Sequence, residues 1–317
     1  MIRRIRKARY RETARNLVRM KRAGLLLLAV APVATVAVYF LGGDSDSDAA
    51  AGQHGPGTQR PYDQDKSAAE IKADDKLIAQ LPPGLAAPAK KELAQKLVTS
   101  AENSTLNWRG QYGYIEDIGD GNGYTAGIIG FCTGTNDLLT LVEQYTKDHP
   151  DNGLARYLPA LRKVNGSDSH EGLDPGFTKA WKAEAAKPAF RKAQDRTRDS
   201  VYFDPAVRLA KLDGLGTLGQ FIYYDAMVLH GPGTGPRGFY GLREAVLKEA
   251  NTPAQGGKEK AYLDIFLDIR TKAMKEKKAH RDTTRVETAQ RQFLYDGNLD
   301  LKTPLTWKVY GETFKVR

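Results

Sequence analysis

Cysteine is nearly absent from this chain: Cys132 is the single one in 317 residues. No intrachain disulfide can form, so the fold must rest on its own core, which a chain of this length can supply. Cys132 follows the apolar run GIIGF and reads as a buried structural thiol. Also missing is the GxSxG turn that exposes a nucleophilic serine, so a Ser-His-Asp hydrolase has no support. No repeat recurs at solenoid periods. The stretch around Asp120 fails the calcium-loop template, which would put Ile118 and Ile129 at its first and last ligand positions. No metal is expected.

A charge excess of one sign is missing from the body as well. The chain carries 48 Lys and Arg against 38 Asp and Glu, a net charge of +10. Residues 1–23 hold ten of those bases and one acid, leaving 38 bases and 37 acids for the other 294 residues. The body therefore does not call for a polyanionic partner, and no nucleic-acid role is expected.

Residues 23–42, AGLLLLAVAPVATVAVYFLG, carry no charge and are long enough to cross a bilayer core. With the basic flank before them and Asp44, Asp46 and Asp48 after, the positive-inside rule puts the C-terminal body outside. Two readings stay open: a permanent anchor, or a signal cleaved near Ala49-Ala50-Ala51, several residues beyond the apolar run. Arg3-Arg4 stands too far from that run for a twin-arginine signal. Either way the body is exported. The expected organisation is a basic leader over residues 1–22, a signal or transmembrane segment 23–42, a flexible linker 43–82 and a catalytic domain 83–317. Within the linker, Lys66 to Ala79 has the composition of a loose helix.

The body reads as mainly helical. Leu93, Leu97, Val98 and Ala101 give one apolar face to a helix over Ala89–Asn103. Further helical patterns cover Asn136–Asp148, Gly153–Val164, Thr178–Thr197, Pro205–Leu229, Gly238–Ala250, Glu259–Lys278 and Arg281–Asp296, with Pro and Gly between them. Residues Tyr112 to Phe131 read as extended, and Asp120-Gly121-Asn122-Gly123 is a hairpin signal. The basic run Lys272–Arg281 reads as a solvated helix face. Trp108, Trp181 and Trp307 read as core residues rather than sugar platforms.

Glu102 falls at the end of a helix and Asp120, eighteen residues on, in the hairpin turn. A helix end and a turn can hold two carboxylates on opposite walls of a cleft, as glycosidic hydrolysis requires. The pattern is unspecific alone, because a helix-end glutamate and a turn aspartate are both ordinary. The hairpin adds Glu116 and Asp117 beside Tyr112, Tyr114 and Tyr124, an acid-and-aromatic surface suited to a cationic sugar polymer. Asp225 lies in the apolar helix FIYYDAMVLHG, where a lone carboxylate is costly without partners.

The segments SAENSTLNW, YIEDIGDGNGYTAGIIGFCTGTNDLL, YLPALRKVNGSDSH, VYFDPAV, LGQFIYYDAMVLHGPG, NTPAQGG and GNLDLKTPLTWKVYG closely resemble chitosanases of glycoside hydrolase family 46. The resemblance runs over residues 83–316 without a large gap. It implies a mainly α (α+β), lysozyme-like, two-lobed domain with a small β-hairpin at the active-site cleft. It further implies an endo-acting, inverting chitosanase, a monomer without cofactor, whose partner is chitosan. Glu102 matches the proton donor, Asp120 the general base and Thr125 a hydroxyl that holds the attacking water. In an inverting enzyme the two carboxyls stand roughly 6.5–9.5 Å apart. Asp137 matches an aspartate that binds the substrate's amino group; it also suits a helix first turn. Tyr114, Glu116, Tyr202 and His230 fall among the expected substrate-binding residues. His280 also matches the family.

Asp225, Arg270 and Arg285 match a trio that pairs behind the cleft and holds the base-bearing segment. Asn122 departs from the pattern, since many relatives carry Arg there; the change removes a cation beside Asp120. The rival readings are another lysozyme-like glycosidase acting on chitin or peptidoglycan, and a membrane-anchored glycan-binding protein without catalysis.

Overall fold

The computed structural model describes residues 66–277 and 281–317. The leader, the apolar span 23–42, Ala49–Ala51, the linker up to residue 65 and His280 lie outside the described residues. Among the described residues, no helix is long and apolar enough to cross a membrane.

The stretch read as linker contains a regular helix, α1 (Ala68–Gln80), which starts where Ser67 and Glu70 close a capping box. Asp74 and Asp75 of α1 pair with Arg208 of the body. Helix α2 (Pro88–Asn103) has Pro at its first position and stops at Ser104, whose backbone is left-handed (φ 51°). Its Leu93, Leu97, Val98 and Ala101 are buried, as their spacing predicts.

Three short strands follow: β1 (Ile115–Asp117), β2 (Tyr124–Ala126) and β3 (Phe131–Cys132), antiparallel in the order β1-β2-β3. The hairpin was legible, while β3 was not, being two residues long. Glu116 faces Thr125 across β1–β2, and Thr125 faces Cys132 across β2–β3. Between β1 and β2, Gly119, Gly121 and Gly123 all take positive φ, and this lets the chain turn tightly around Asp120.

Helices α3 (Asp137–Asp148), α4 (Leu158–Val164), α5 (Phe177–Ala185) and α6 (Pro188–Thr197) come next. A π-helical turn, Arg198–Phe203, leads into α7 (Asp204–Leu212), then α8 (Thr217–His230), α9 (Phe239–Leu247) and α10 (Glu259–Lys277). A second π-turn, Val286–Gln290, precedes α11 (Arg291–Tyr295), and a hairpin of β4 (Leu305–Val309) and β5 (Glu312–Val316) closes the chain. Two of the expected helices are therefore pairs. Thr178–Thr197 breaks before Pro188, which lacks the N–H a continuous helix needs. Pro205–Leu229 breaks at Asp213–Gly216, where Gly214 takes φ 78°.

Helix α8 is the axis of the core. Every residue from Leu218 to Met227 is buried, so this helix is enclosed all round and Asp225 with it. All three tryptophans are core residues, Trp181 and Trp307 essentially fully. Trp307 donates to Ser100 Oγ at 2.9 Å and so pins the C-terminal hairpin to α2.

Candidate active site

The helix wall carries Glu102 in the last turn of α2. Its side chain is 19% exposed, and Oε1 accepts from Arg285 Nη1 at 2.6 Å. The other arm of Arg285 donates to Asp225 Oδ1 at 2.7 Å. Asp225 Oδ2 accepts from Arg270 Nη2 and from Gln290 Nε2, each at 2.6 Å. Arg270 also donates to Gln290 Oε1 at 2.8 Å. Burial pushes the Asp225 carboxyl up, but Arg285 and Arg270 outweigh it and hold the group well below the usual carboxylate range.

This corrects one expectation. The trio's outward bond goes to Glu102 on the helix wall, because Arg285 forks between Asp225 and the end of α2. Gln290 is a fourth member that the sequence did not reveal. It lies five residues after Arg285, a spacing that points to different faces of an α-helix and to closer ones of the π-turn that forms there.

His230, expected at the substrate, is tied into the same cluster. Its Nε2 accepts from Arg270 Nε at 3.3 Å, which puts the ring hydrogen on Nδ1, and Nδ1 donates to the Arg237 carbonyl at 3.1 Å. Burial, then Arg270, Arg281 and Arg285, draw its pKa well below the ordinary value, so the ring is neutral.

The hairpin wall is built differently. Asp120 Oδ1 accepts from the Asn122 backbone N–H and Oδ2 from Asn122 Nδ2, both at 3.1 Å. Asn122 thus clamps both carboxylate oxygens with neutral donors. Further out, Tyr124 stacks on His170 at 4.0 Å and donates to Asp174 at 2.7 Å. His170 stands 3.5 Å from Asp117 and 3.4 Å from Asp174, and so joins the hairpin to the loop after α4. Tyr114 and Glu116 are both half-buried on this hairpin.

Asp137 opens α3 behind a left-handed Asn136 (φ 66°). Its Oδ1 accepts from the backbone N–H groups of Cys132 (3.0 Å) and Leu138 (2.9 Å) and from Thr135 Oγ1 (2.7 Å). Oδ2 accepts from Tyr202 at 3.1 Å. Burial nevertheless pushes its carboxyl up to about 6. Tyr202 is only 4% exposed, so it props Asp137 rather than offering a ring face to a ligand.

The two walls meet at Gly130. A methyl group there would lie 3.2 Å from Thr125 Cγ2 and 3.8 Å from Glu102 Oε2. Glu102 Oε2 and the Thr125 side chain thus flank one spot, beside a backbone whose positive φ (79°) favours glycine. Among the described residues, no group of three or more His, Cys, Asp or Glu is placed to hold a metal ion. What the site offers is carboxylates on two walls, one braced by buried cations and one held by neutral donors, beside a hydroxyl.

Residues 96–305 match glycosyl hydrolase family 46. The chain belongs to this family. As a family 46 protein it is a glycoside hydrolase, with the mainly helical, lysozyme-like fold of that group. A Streptomyces chitosanase is 60% identical over 233 residues, 74% of this chain and 84% of the relative. A Bacillus subtilis chitosanase is 38% identical over 225 residues, 68% of this chain and 80% of the relative. A chitosanase co-crystallised with substrate superposes with a TM-score of 0.72 at 53% identity, covering 74% of this chain and 98% of that one.

Proposed function

We propose that this family 46 enzyme is an exported, endo-acting chitosanase that cleaves β-1,4 links between glucosamine units with inversion. The meeting of Glu102 Oε2 and the Thr125 side chain over Gly130, with Asp120 on the adjoining turn, is the observation that carries this reading. Arg285 holds Glu102 through Oε1, and in this reading the proton is carried on Oε2, the oxygen that lies beside Gly130 and Thr125. From there it passes to the glycosidic oxygen as the bond to the sugar carbon breaks. Asp120 takes a proton from a water that Thr125 holds, and the water oxygen bonds to that carbon from the opposite face. One proton leaves Glu102, one arrives on Asp120, and solvent restores both.

Substrate recognition follows from charge. Glucosamine units carry ammonium groups when protonated, and Glu116, with Asp137 kept rigid by its four donors and ionised above about pH 6, offers them carboxylate partners. Tyr114 supplies an aromatic edge, Tyr202 acts through Asp137, and His230 acts through Arg270. Asp225, Arg270 and Arg285 brace the acid without touching substrate. The names of the relatives, all chitosanases, support the substrate class. The protein would work as a monomer outside the cell, free or held by residues 23–42.

Reducing-sugar release from highly deacetylated chitosan, with viscosity and the first anomer formed, tests this. The wild type should cut viscosity quickly and release the α-anomer. Glu102→Gln and Asp120→Asn should each lose about 10²–10⁴-fold in kcat. A preference for acetylated polymer would move the substrate to chitin or peptidoglycan. Binding to chitosan without turnover would leave a glycan-binding protein.

A further inference from the structure

Thr125 and Cys132 are cross-strand partners on β2 and β3, with Oγ1 and Sγ 3.4 Å apart. Either atom can donate across that gap, but the thiol has one hydrogen and a second acceptor. Cys132 Sγ donates to the Gly130 carbonyl at 3.3 Å, and a carbonyl oxygen can only accept. Burial, reinforced by Asp137, pushes the thiol pKa up, so the hydrogen stays on sulfur. With that hydrogen committed to Gly130, sulfur faces Thr125 as an acceptor, and the threonine hydroxyl must be the donor.

We propose that Cys132 is a positioning residue for the attacking water: its sulfur takes the Thr125 hydroxyl hydrogen and leaves Thr125 Oγ1 with only lone pairs to offer. A water at Thr125 then gives one hydrogen to Oγ1 and the other to Asp120. Its own lone pair is left to face the sugar carbon. Without the sulfur, the hydroxyl rotor is free to donate to the water, which ties up the lone pair that must attack. The chain runs from the Gly130 carbonyl through Cys132 and Thr125 to the water. The same Gly130 lies beside Glu102 Oε2, so this stretch of backbone borders both carboxylate-bearing elements. Cys132 makes no bond with substrate and does not change its own protonation.

The proposal rests on the reading of Thr125 as the residue that holds the water, and the test separates the two. Initial rates on a glucosamine hexamer are measured for Cys132→Ala, Thr125→Ala and the double variant, at raised enzyme concentration for the slow ones, with melting curves for each. Cys132→Ala should lower kcat about tenfold, the worth of one neutral hydrogen bond, with KM within about twofold. In the Thr125→Ala background it should lower kcat no further. Cys132→Ser, which keeps both a hydrogen for Gly130 and an acceptor for Thr125, should return to within about threefold of wild type. Should Cys132→Ala not fold, Cys132→Val, which offers Thr125 no acceptor, takes its place in the cycle. An unchanged kcat in Cys132→Ala, or the same loss in both backgrounds, overturns the role of Cys132 alone. Wild-type activity in Thr125→Ala overturns the water reading and the proposal with it.

Discussion

The helix end and the hairpin turn solve the same problem, holding a carboxylate still, by opposite means. Glu102 sits at the end of a sixteen-residue helix and leans on a buried chain of charges, from Arg285 through Asp225 to Arg270. Asp120 sits in a glycine turn and leans on one neutral residue two positions away, Asn122, through its backbone N–H and its side-chain amide. Buried charges cannot move apart without leaving one unpaired in the core, so the position of Glu102 is tied to global stability. A neutral clamp on a half-exposed turn has no such tie, and Asp120 can adjust without the fold noticing.

That contrast breaks most sharply at Asp225. Asp225→Ala leaves two guanidinium groups buried with one carboxylate between them and should cost about 3–5 kcal/mol in unfolding free energy. Chemical denaturation measures it, and a loss under about 1 kcal/mol would mean the charged brace is not what ties the acid to the core.

A second test sits at the far end of the same brace. His230 is neutral when folded, because burial and Arg270, Arg281 and Arg285 draw its pKa below the ordinary 6.5. The unfolded chain therefore binds one more proton below that value. His230 contributes stability above pH 6.5 that is lost as pH falls toward its folded pKa, at about 1.4 kcal/mol per pH unit. The stability curve of His230→Gln should lack this one-proton slope between pH 6.5 and 5. Parallel curves would show that the ring charges in place.

The smallest effect on the fold belongs to the hairpin wall. Asn122→Ala should leave unfolding within about 0.5 kcal/mol of wild type and still lower kcat about tenfold, as Asp120 Oδ2 loses its Nδ2 donor while the backbone N–H at 122 stays on Oδ1. Equal losses in stability and rate would make the two walls alike.

Much of this was readable along the chain. The α2 face appears in the spacing of Leu93, Leu97, Val98 and Ala101, and the hairpin turn in Asp-Gly-Asn-Gly, since both depend on residues a few positions apart. The cost of Asp225 in an apolar helix was equally legible. Its connection to Glu102 was not read correctly, because Arg285 reaches across 183 positions to do it. Gln290 was hidden for another reason: its face is set by a π-turn, while the pattern was read at the α-helical period. Tyr202 was expected at the ligand, yet nothing local tells whether a tyrosine turns its ring outward or its hydroxyl to Asp137.

The sequence by itself determined which stretches are helical and where the chain reverses. These depend on side-chain type and on contacts within a turn or two. Only the tertiary structure decided who pairs with whom: Arg285 with Glu102, Trp307 with Ser100, Cys132 with Thr125. Hydrogen bonds act over about 3 Å and have direction. Their partners are chosen when the closed chain brings helix ends and strand faces to that range, a choice that spacing alone does not encode.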